Sequence, residues 1–341
     1  MTVRSRDGRS GLAFAVGMVL LLTLLLTLPI YLPVFWLRIA TETLMWASIA
    51  ISWNLIGGYT GYLNFGHAAF FGVGAYSTGI LFVRLGLPFA LALPLAGLIG
   101  GAVAVLLGLP TLRIRGAYFA IATWAFAEAM RQVALLAEGL TGGSEGLRFP
   151  PLADNTPFYY MMLGLCVASL VGLHFLLRRS KYGYWLVAVR ENEDVAKAMG
   201  IDVFRAKLFV FALSGVIASL AGGIYGYWIT IINPNEVFKI LYSDNAVVMS
   251  MFGGLGTFWG PVIGAVLVHL SGRWIWLSLG SDVTYIIITG LAVCLVALFV
   301  PDGLLGLLER RRQRANAYRK PEQNPELKLD LKPELKPEDG K

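Results

Sequence analysis

Few residues in this 341-residue chain are of types that could do chemistry, and most of those fail on spacing. Ser144 lies in GGSEG, residues 142–146, which satisfies the G-x-S-x-G pattern of a serine nucleophile. That pattern works only on a strand-turn-helix elbow with a histidine partner. Here it falls in a loop between two apolar runs, while His67, His174 and His269 lie in or beside three other apolar runs. Gly254, Gly256 and Gly260 imitate a dinucleotide loop, but no strand precedes them. The chain has no GxxxxGK[ST] phosphate loop and no HExxH, so it lacks the usual residues for ATP hydrolysis or zinc peptidase chemistry. Cys166 and Cys294 sit inside apolar runs and read as small core residues, not as a disulfide or zinc ligands. The expectation is a chain that is not an enzyme and takes no cofactor and no metal.

Three other sets of polar or flexible residues remain. Glu128 and Arg131 are three apart and so share one face of a helix. Ionised groups in apolar surroundings are costly unless paired or wet, so the pair is expected to face the interior of a bundle. Two glycine clusters follow, GGYTGYLNFGHAAFFGVGAY at 57–76 and GGLGTFWGPVIGA at 253–265. Small residues allow helices to approach closely, and broken helices aim polar ends at a solute path. Asn54, Gly57, Gly58, Asn64, Gly66 and His67 therefore join Glu128 and Arg131 as candidates for lining such a path. The third set is Asp194, Val195, Ala196, Ala198, Met199 and Gly200, in the longest polar stretch between apolar runs, residues 178–207. There Val187, Val195, Ala198 and Met199 recur at helical spacing and Gly200 suits a helix C-cap. A short surface helix with such a ridge can dock in another protein's groove; the alternative is an amphipathic helix lying on a membrane.

The elements that position these residues are set by composition. Hydrophobic residues make up 57% of the chain and charged residues 14%, and 17 of the 49 charges fall in the last 33 positions. A soluble domain carries about 25% charge, so the fold class expected is all-α, a polytopic membrane protein. Apolar windows lie near 12–34, 38–57, 66–84, 89–109, 116–137, 158–178, 207–231, 238–254, 258–278 and 283–300, about ten transmembrane or broken helices. The stretch 238–278 could instead be one span and a re-entrant segment, but the basic tail would then emerge on the outer side, so two spans are preferred. The first follows Arg4, Arg6 and Arg9 but is too long for a signal peptide and reads as a retained helix. Only Glu128 is read as lying deep in a span, which argues against a self-contained secondary transporter with coupling carboxylates.

Basic residues orient the bundle. With the N-terminus in the cytoplasm, 22 Lys and Arg fall on the inner side and five, Arg38, Arg84, Arg148, Lys239 and Arg273, on the outer. Both termini are then cytoplasmic, and the net charge of +7 reflects membrane orientation rather than nucleic acid. The organisation expected is a basic arm at 1–11, a membrane domain at 12–308, and a tail at 309–341 that begins ERRRQR and turns Pro, Glu and Lys rich. The basic part of the tail suits anionic headgroups of the bilayer and the remainder has no means to build a core.

Five blocks in this order resemble the permease subunits of bacterial ABC importers for branched-chain amino acids, of the LivM type. They are WNLIGGYTGYLNFGHAAFFGVGAY from Trp53, LRIRGAYFAIATWAFAE from Leu112, TGGSEGL from Thr141, VRENEDVAKAMGIDVFRAKLFVFALSGVIASLAGG from Val189 and MFGGLGTFWGPVIGAVL from Met251. The resemblance covers residues from about 45 to 300. It implies the ABC importer permease fold, and TGGSEGL becomes an outer-loop block of that family. Importer permeases carry a coupling helix with the pattern E-A-A-x-x-x-G; Asp194, Val195, Ala196 and Gly200 fall on that spacing, with the first two positions departing from it. The resemblance further implies a second homologous permease, two cytoplasmic ATPase subunits, a periplasmic solute-binding protein and residence in the bacterial inner membrane. Branched-chain amino acids are the leading solute, and urea, amides and small aromatic acids are the rivals.

Overall fold

The computed structural model describes residues 8–279 together with Gly290 and Leu291. The tenth window at 283–300, Cys294 and the tail at 309–341 lie outside those residues, as does most of the arm at 1–11. Helix α1 (Gly8–Tyr31) already begins inside that arm. It is followed by α2 (Val34–Thr60), α3 (His67–Gly79) with a π-helical turn (Ile80–Arg84), α4 (Phe89–Thr111) and α5 (Ala117–Leu136). Then come α6 (Glu138–Thr141), β1 (Leu147–Arg148), α7 (Thr156–Arg179), α8 (Lys181–Glu191), α9 (Glu193–Ala198), α10 (Val203–Ile229) and β2 (Ile231–Ile232). The series closes with α11 (Pro234–Val237), α12 (Leu241–Gly253) and α13 (Gly260–Leu279).

Four of these, α2, α4, α7 and α10, are long and apolar enough to cross a membrane by length and composition. Helix α2 is mostly apolar on every face and buried along most of its length, the expected fate of such a helix at the centre of a bundle. At the periphery the bias reverses: Leu98 and Leu106 of α4 are about two-thirds exposed, as suits an outer face bathed in lipid. Backbone contact replaces side-chain packing where α10 crosses α3. A Cβ at Gly74 would overlap the Ser219 carbonyl, and one at Gly222 would overlap that of Phe71. These glycines let two helices touch, which side chains in lipid alone would not enforce.

One expectation is refined and one is corrected. First, the window at 238–254 is one of the broken helices: a short α11 and a turn precede α12, whose 13 residues reach about 20 Å, against about 30 Å for a hydrocarbon core. Its end is fixed by a hairpin in which Gly253 lies on the Gly260 carbonyl and Gly264 on that of Met249. Second, Glu128 is not the only acid within a long helix. Glu42 in α2 pairs with Arg273 and His269 of α13, and His269 Nδ1 meets Thr43 Oγ1 at 2.8 Å. Arg273, counted with the outer loops, belongs to the helix α13.

Helix α10, about 40 Å long at 1.5 Å per residue, defines two opposite ends of the bundle. One carries α8 and α9. The other carries a two-residue ribbon in which Leu147 pairs with Ile232 and Arg148 with Ile231. The TGGSEGL block is the turn leading into that ribbon. Gly142, Gly143 and Gly146 all have positive φ, and Asn233 Nδ2 donates to the Ser144 carbonyl at 2.6 Å. Ser144 itself is exposed, so the block works as a structural turn and offers no nucleophile elbow.

Candidate functional site

Two places gather polar groups in unusual ways. The first is a groove between α5 and the α11–α12 segment, opening at the ribbon end. Arg131 Nε donates to both Glu128 carboxylate oxygens at 3.1 and 3.0 Å, and its Nη1 reaches Asn235 Oδ1 on the far wall. Lys239 pairs with Glu236 at 2.7 Å. Trp124, Phe238 and Ile240 line the cavity of about 250 Å3 around this pair, and Trp124 and Ile240 also line a neighbouring one of about 350 Å3 with Phe65, Ile121 and Asp244. Glu128 and Arg131 thus face the groove, half-exposed, and not the closed interior of the bundle as expected. Inside the bundle, α10 is in backbone contact with α3, at Gly74 and Gly222, and with α4, at Gly215.

Phe65 holds the two walls together. Its N–H donates to Thr123 Oγ1 of α5 at 3.1 Å, and its carbonyl accepts from Ser243 Oγ of α12 at 2.6 Å. Gly61, with φ 77°, turns the chain out of α2 and lets the link at 61–66 re-enter the bundle. Trp53 Nε1 donates to the Asn64 carbonyl at 2.7 Å. The Asn64 amide donates to His67 Nδ1 at 2.7 Å, leaving Nε2 to donate to Ser52 Oγ at 3.2 Å. Ser52 passes the chain on to the Ser214 carbonyl at 2.6 Å. Asn64, Gly66 and His67 are fully enclosed and act here as the scaffold that fixes Phe65. Asn54 is likewise enclosed, donating to the Thr257 carbonyl at 3.1 Å and accepting from Gly256 N at 2.9 Å. Gly58 packs on Gly256, while Gly57 sits under the Trp53 ring. The two glycine clusters thereby bind each other.

The second place is at the opposite end. Asn192 breaks the stretch after Tyr184 into α8 and α9, capping α9 through its side chain, which accepts from Asp194 N and Val195 N. Gly200, with φ 80°, ends the turn as the sequence implied. Ala196 is buried against Val189 and Val203, so it faces the bundle. Val195, Ala198 and Met199 are exposed, and Tyr184 and Val187 of α8 extend this outward apolar strip.

Helix α9 is tied down by Glu193, which spacing alone did not single out. Its Oε1 accepts from Lys207 Nζ at 2.9 Å and from Tyr62 Oη at 2.7 Å, and its Oε2 meets Arg115 at 3.1 Å. Lys207 also donates to the Leu112 carbonyl at 3.2 Å and lies 4.2 Å from the Tyr62 ring centre. Burial pushes the Glu193 carboxyl up, but the hydrogen bonds from Lys207 and Tyr62 and the charges of Lys207 and Arg115 outweigh it and hold the group below its ordinary value. Arg115, 3.1 Å from Asp194, holds that carboxyl down too. One carboxylate therefore joins α9 to α10, to the turn after α2 and to the turn between α4 and α5. The signals were a Lys opening an apolar helix and a Glu following an N-cap Asn.

The family model described as branched-chain amino acid transport system / permease component matches residues 35–296. The chain belongs to this family. The high-affinity branched-chain amino acid transport system permease protein LivM of Salmonella typhimurium is 29% identical over 317 residues, covering 84% of this chain and 73% of that protein. LivM of Escherichia coli matches to the same extent. A shorter likeness, 32% over 121 residues, reaches the xylose transport system permease protein XylH of Haemophilus influenzae and covers 34% of this chain and 32% of that one. No solved structure matches the chain. The chain is a polytopic helical permease of the membrane, and the matched residues 35–296 include those that build the groove and α9.

Proposed function

We propose that this permease is one half of the membrane domain of an ATP-driven importer for branched-chain amino acids, and that α9 carries ATPase movement into it. The observation that carries the coupling is the Glu193 attachment, which gives a six-residue helix rigid links to three membrane elements. A helix so anchored moves with the bundle, and the strip from Tyr184 through Val195 to Met199 offers a partner an apolar contact outside the membrane. Asp194 sits beside Arg115 and Gly200 frees the chain to turn back to α10; with Val195, Ala196, Ala198 and Met199 they make up the docking unit. In this reading the α9 end and both chain termini are cytoplasmic, the ribbon end is periplasmic and receives solute from a binding protein, and a second homologous permease closes the groove. The two cytoplasmic ATPases supply the phosphate loop this chain lacks. Asn54, Gly57, Gly58, Asn64, Gly66 and His67 hold the path in shape, while Glu128 and Arg131 line it. Branched-chain amino acids as cargo rest on the LivM relatives, and the xylose permease shows that similar segments serve other cargo.

Ala198→Glu tests the coupling directly. It places a charge on the exposed ridge, away from the buried contacts of Ala196, so folding is spared while docking meets an unpaired charge at an interface. Recovery of the ATPase subunits with the purified permease is expected to fall at least tenfold, and ATP-driven leucine uptake with it, at unchanged permease abundance. Normal co-purification and uptake would show that coupling does not pass through α9.

A further inference from the structure

We propose that Asp244 is the counter-charge for a primary ammonium group on the passing solute, with the Trp124 ring as the π face beside it. This rests on the permease reading and names the chemistry the groove selects. The cations in the groove already have carboxylates of their own: Arg131 is held by Glu128, and Lys239 by Glu236. Asp244 differs. It is half-buried in the second cavity, among Phe65, Ile121, Trp124 and Ile240, and it forms no ion pair among the described residues. A lone carboxylate between apolar walls is unfavourable unless water or a cation meets it. Among the described residues, Asp244 is thus the groove's one carboxyl group without a cation.

Its position is fixed by its neighbour. Ser243 Oγ accepts from Ala68 N at 2.9 Å and donates to the Phe65 carbonyl, so the first turn of α12 cannot rotate without breaking both bonds. An ammonium group has three donors, which a carboxylate can meet together with the face of an indole ring. The apolar walls suit an aliphatic side chain, and a cavity of about 350 Å3 lies at the small end of small-molecule sites. The ligand class is a small zwitterion or monocation carrying a primary ammonium and a hydrocarbon side chain.

Two measurements test this, made on the complete importer with its partner permease, ATPases and binding protein. In proteoliposomes given radiolabelled L-leucine, Asp244→Asn is expected to lower uptake at least tenfold while permease abundance and recovery of the ATPase subunits with it stay at wild-type levels. Asp244→Glu is expected to keep at least a third of the uptake. Wild-type uptake by Asp244→Asn, or equal loss in both variants, overturns the assignment, the latter by making Asp244 structural. The second measurement needs no knowledge of the cargo. With Cys166 and Cys294 replaced by Ser, Ile121→Cys is treated with a trimethylammonium-bearing or a sulfonate-bearing methanethiosulfonate. The cationic reagent is expected to react at least tenfold faster, and that preference to collapse when Asp244→Asn is added. No reaction, or no preference, places Asp244 in lipid or against a partner's cation and overturns the inference while the permease reading stands. A cation preference in an importer that does not carry leucine leaves the ammonium site in place and overturns the cargo assignment instead.

Discussion

The groove and the α9 anchor both collect charge, yet they use it in opposite ways. At the anchor, Lys207 is almost wholly buried, with 4% of its side chain exposed, and Glu193 has 12% exposed; every polar atom of the pair reaches a partner on another element. In the groove, Glu128 and Arg131 are 46% and 23% exposed and sit on the same helix. A buried pair is strong because breaking it strands a charge, whereas an exposed one gains little against water. The anchor is thus suited to transmitting force as a unit, and the groove to changing its partners as solute passes.

Removing the Lys207 ammonium should have the largest effect and breaks the comparison if it does not. Lys207→Met leaves Glu193 beside Tyr62 with only the half-exposed Arg115, 3.1 Å away, as counter-charge, so the loss should fall at or below the low end of the about 3 to 5 kcal/mol of a fully broken buried pair. Thermal unfolding of the purified permease in detergent is expected to show it as a clear drop in midpoint. Adding Glu193→Gln removes the under-compensated charge and is expected to recover part of the loss. A single variant as stable as wild type would mean that α9 is not held by this pair.

The groove should respond in the opposite manner. Glu128→Gln and Arg131→Gln are each expected to cost no more than about 1 kcal/mol in stability, since the pair is solvent-screened. Leucine uptake is nevertheless expected to fall severalfold, because Arg131 also spans the groove to Asn235. A matching fall in stability and uptake would move the pair from the path into the scaffold. Unchanged uptake in both variants would remove it from the path altogether.

How much of this was legible in the sequence follows from the range of the forces involved. Helices such as α4 and α7 appear where apolar windows predict them because a span depends on about 20 consecutive residues. The split at Asn192 and the left-handed Gly200 are local too; of these the sequence signalled the cap, and the N-cap role of Asn192 emerged only with the fold. The anchor joins Glu193 to Tyr62 across 131 positions and Lys207 to Leu112 across 95, distances no periodicity reports. Asn64 and His67 were legible as unusual polar residues in a glycine-rich run, but their place was not. Whether a buried polar side chain faces a path or closes a hydrogen-bond network depends on partners such as Ser52 and Ser214, supplied by helices far along the chain. Asp244 was readable as an acid in an apolar window, and only the fold shows that nothing described pairs with it.

The smallest expected effect sharpens the contrast between an anchored helix and a docked one. At Gly200 the backbone has φ 80°, yet a side chain there would meet nothing within 4 Å. Gly200→Ala therefore carries no steric clash, only the cost of a left-handed conformation for an L-residue, about 1 kcal/mol. That cost falls on the turn after α9 and not on Glu193, so global stability should change little while the amides of Met199, Gly200 and Ile201 exchange hydrogen roughly five times faster, the ratio that 1 kcal/mol implies. If docking onto a partner holds the turn in its observed form, adding the ATPase subunits should suppress the difference between variant and wild type. Faster exchange that spreads into the first turn of α10 would show instead that the cap and the Lys207 anchor are one cooperative unit. In that case ATPase closure would act on the membrane helices through the backbone of residues 199–203 as well as through the Glu193 carboxylate.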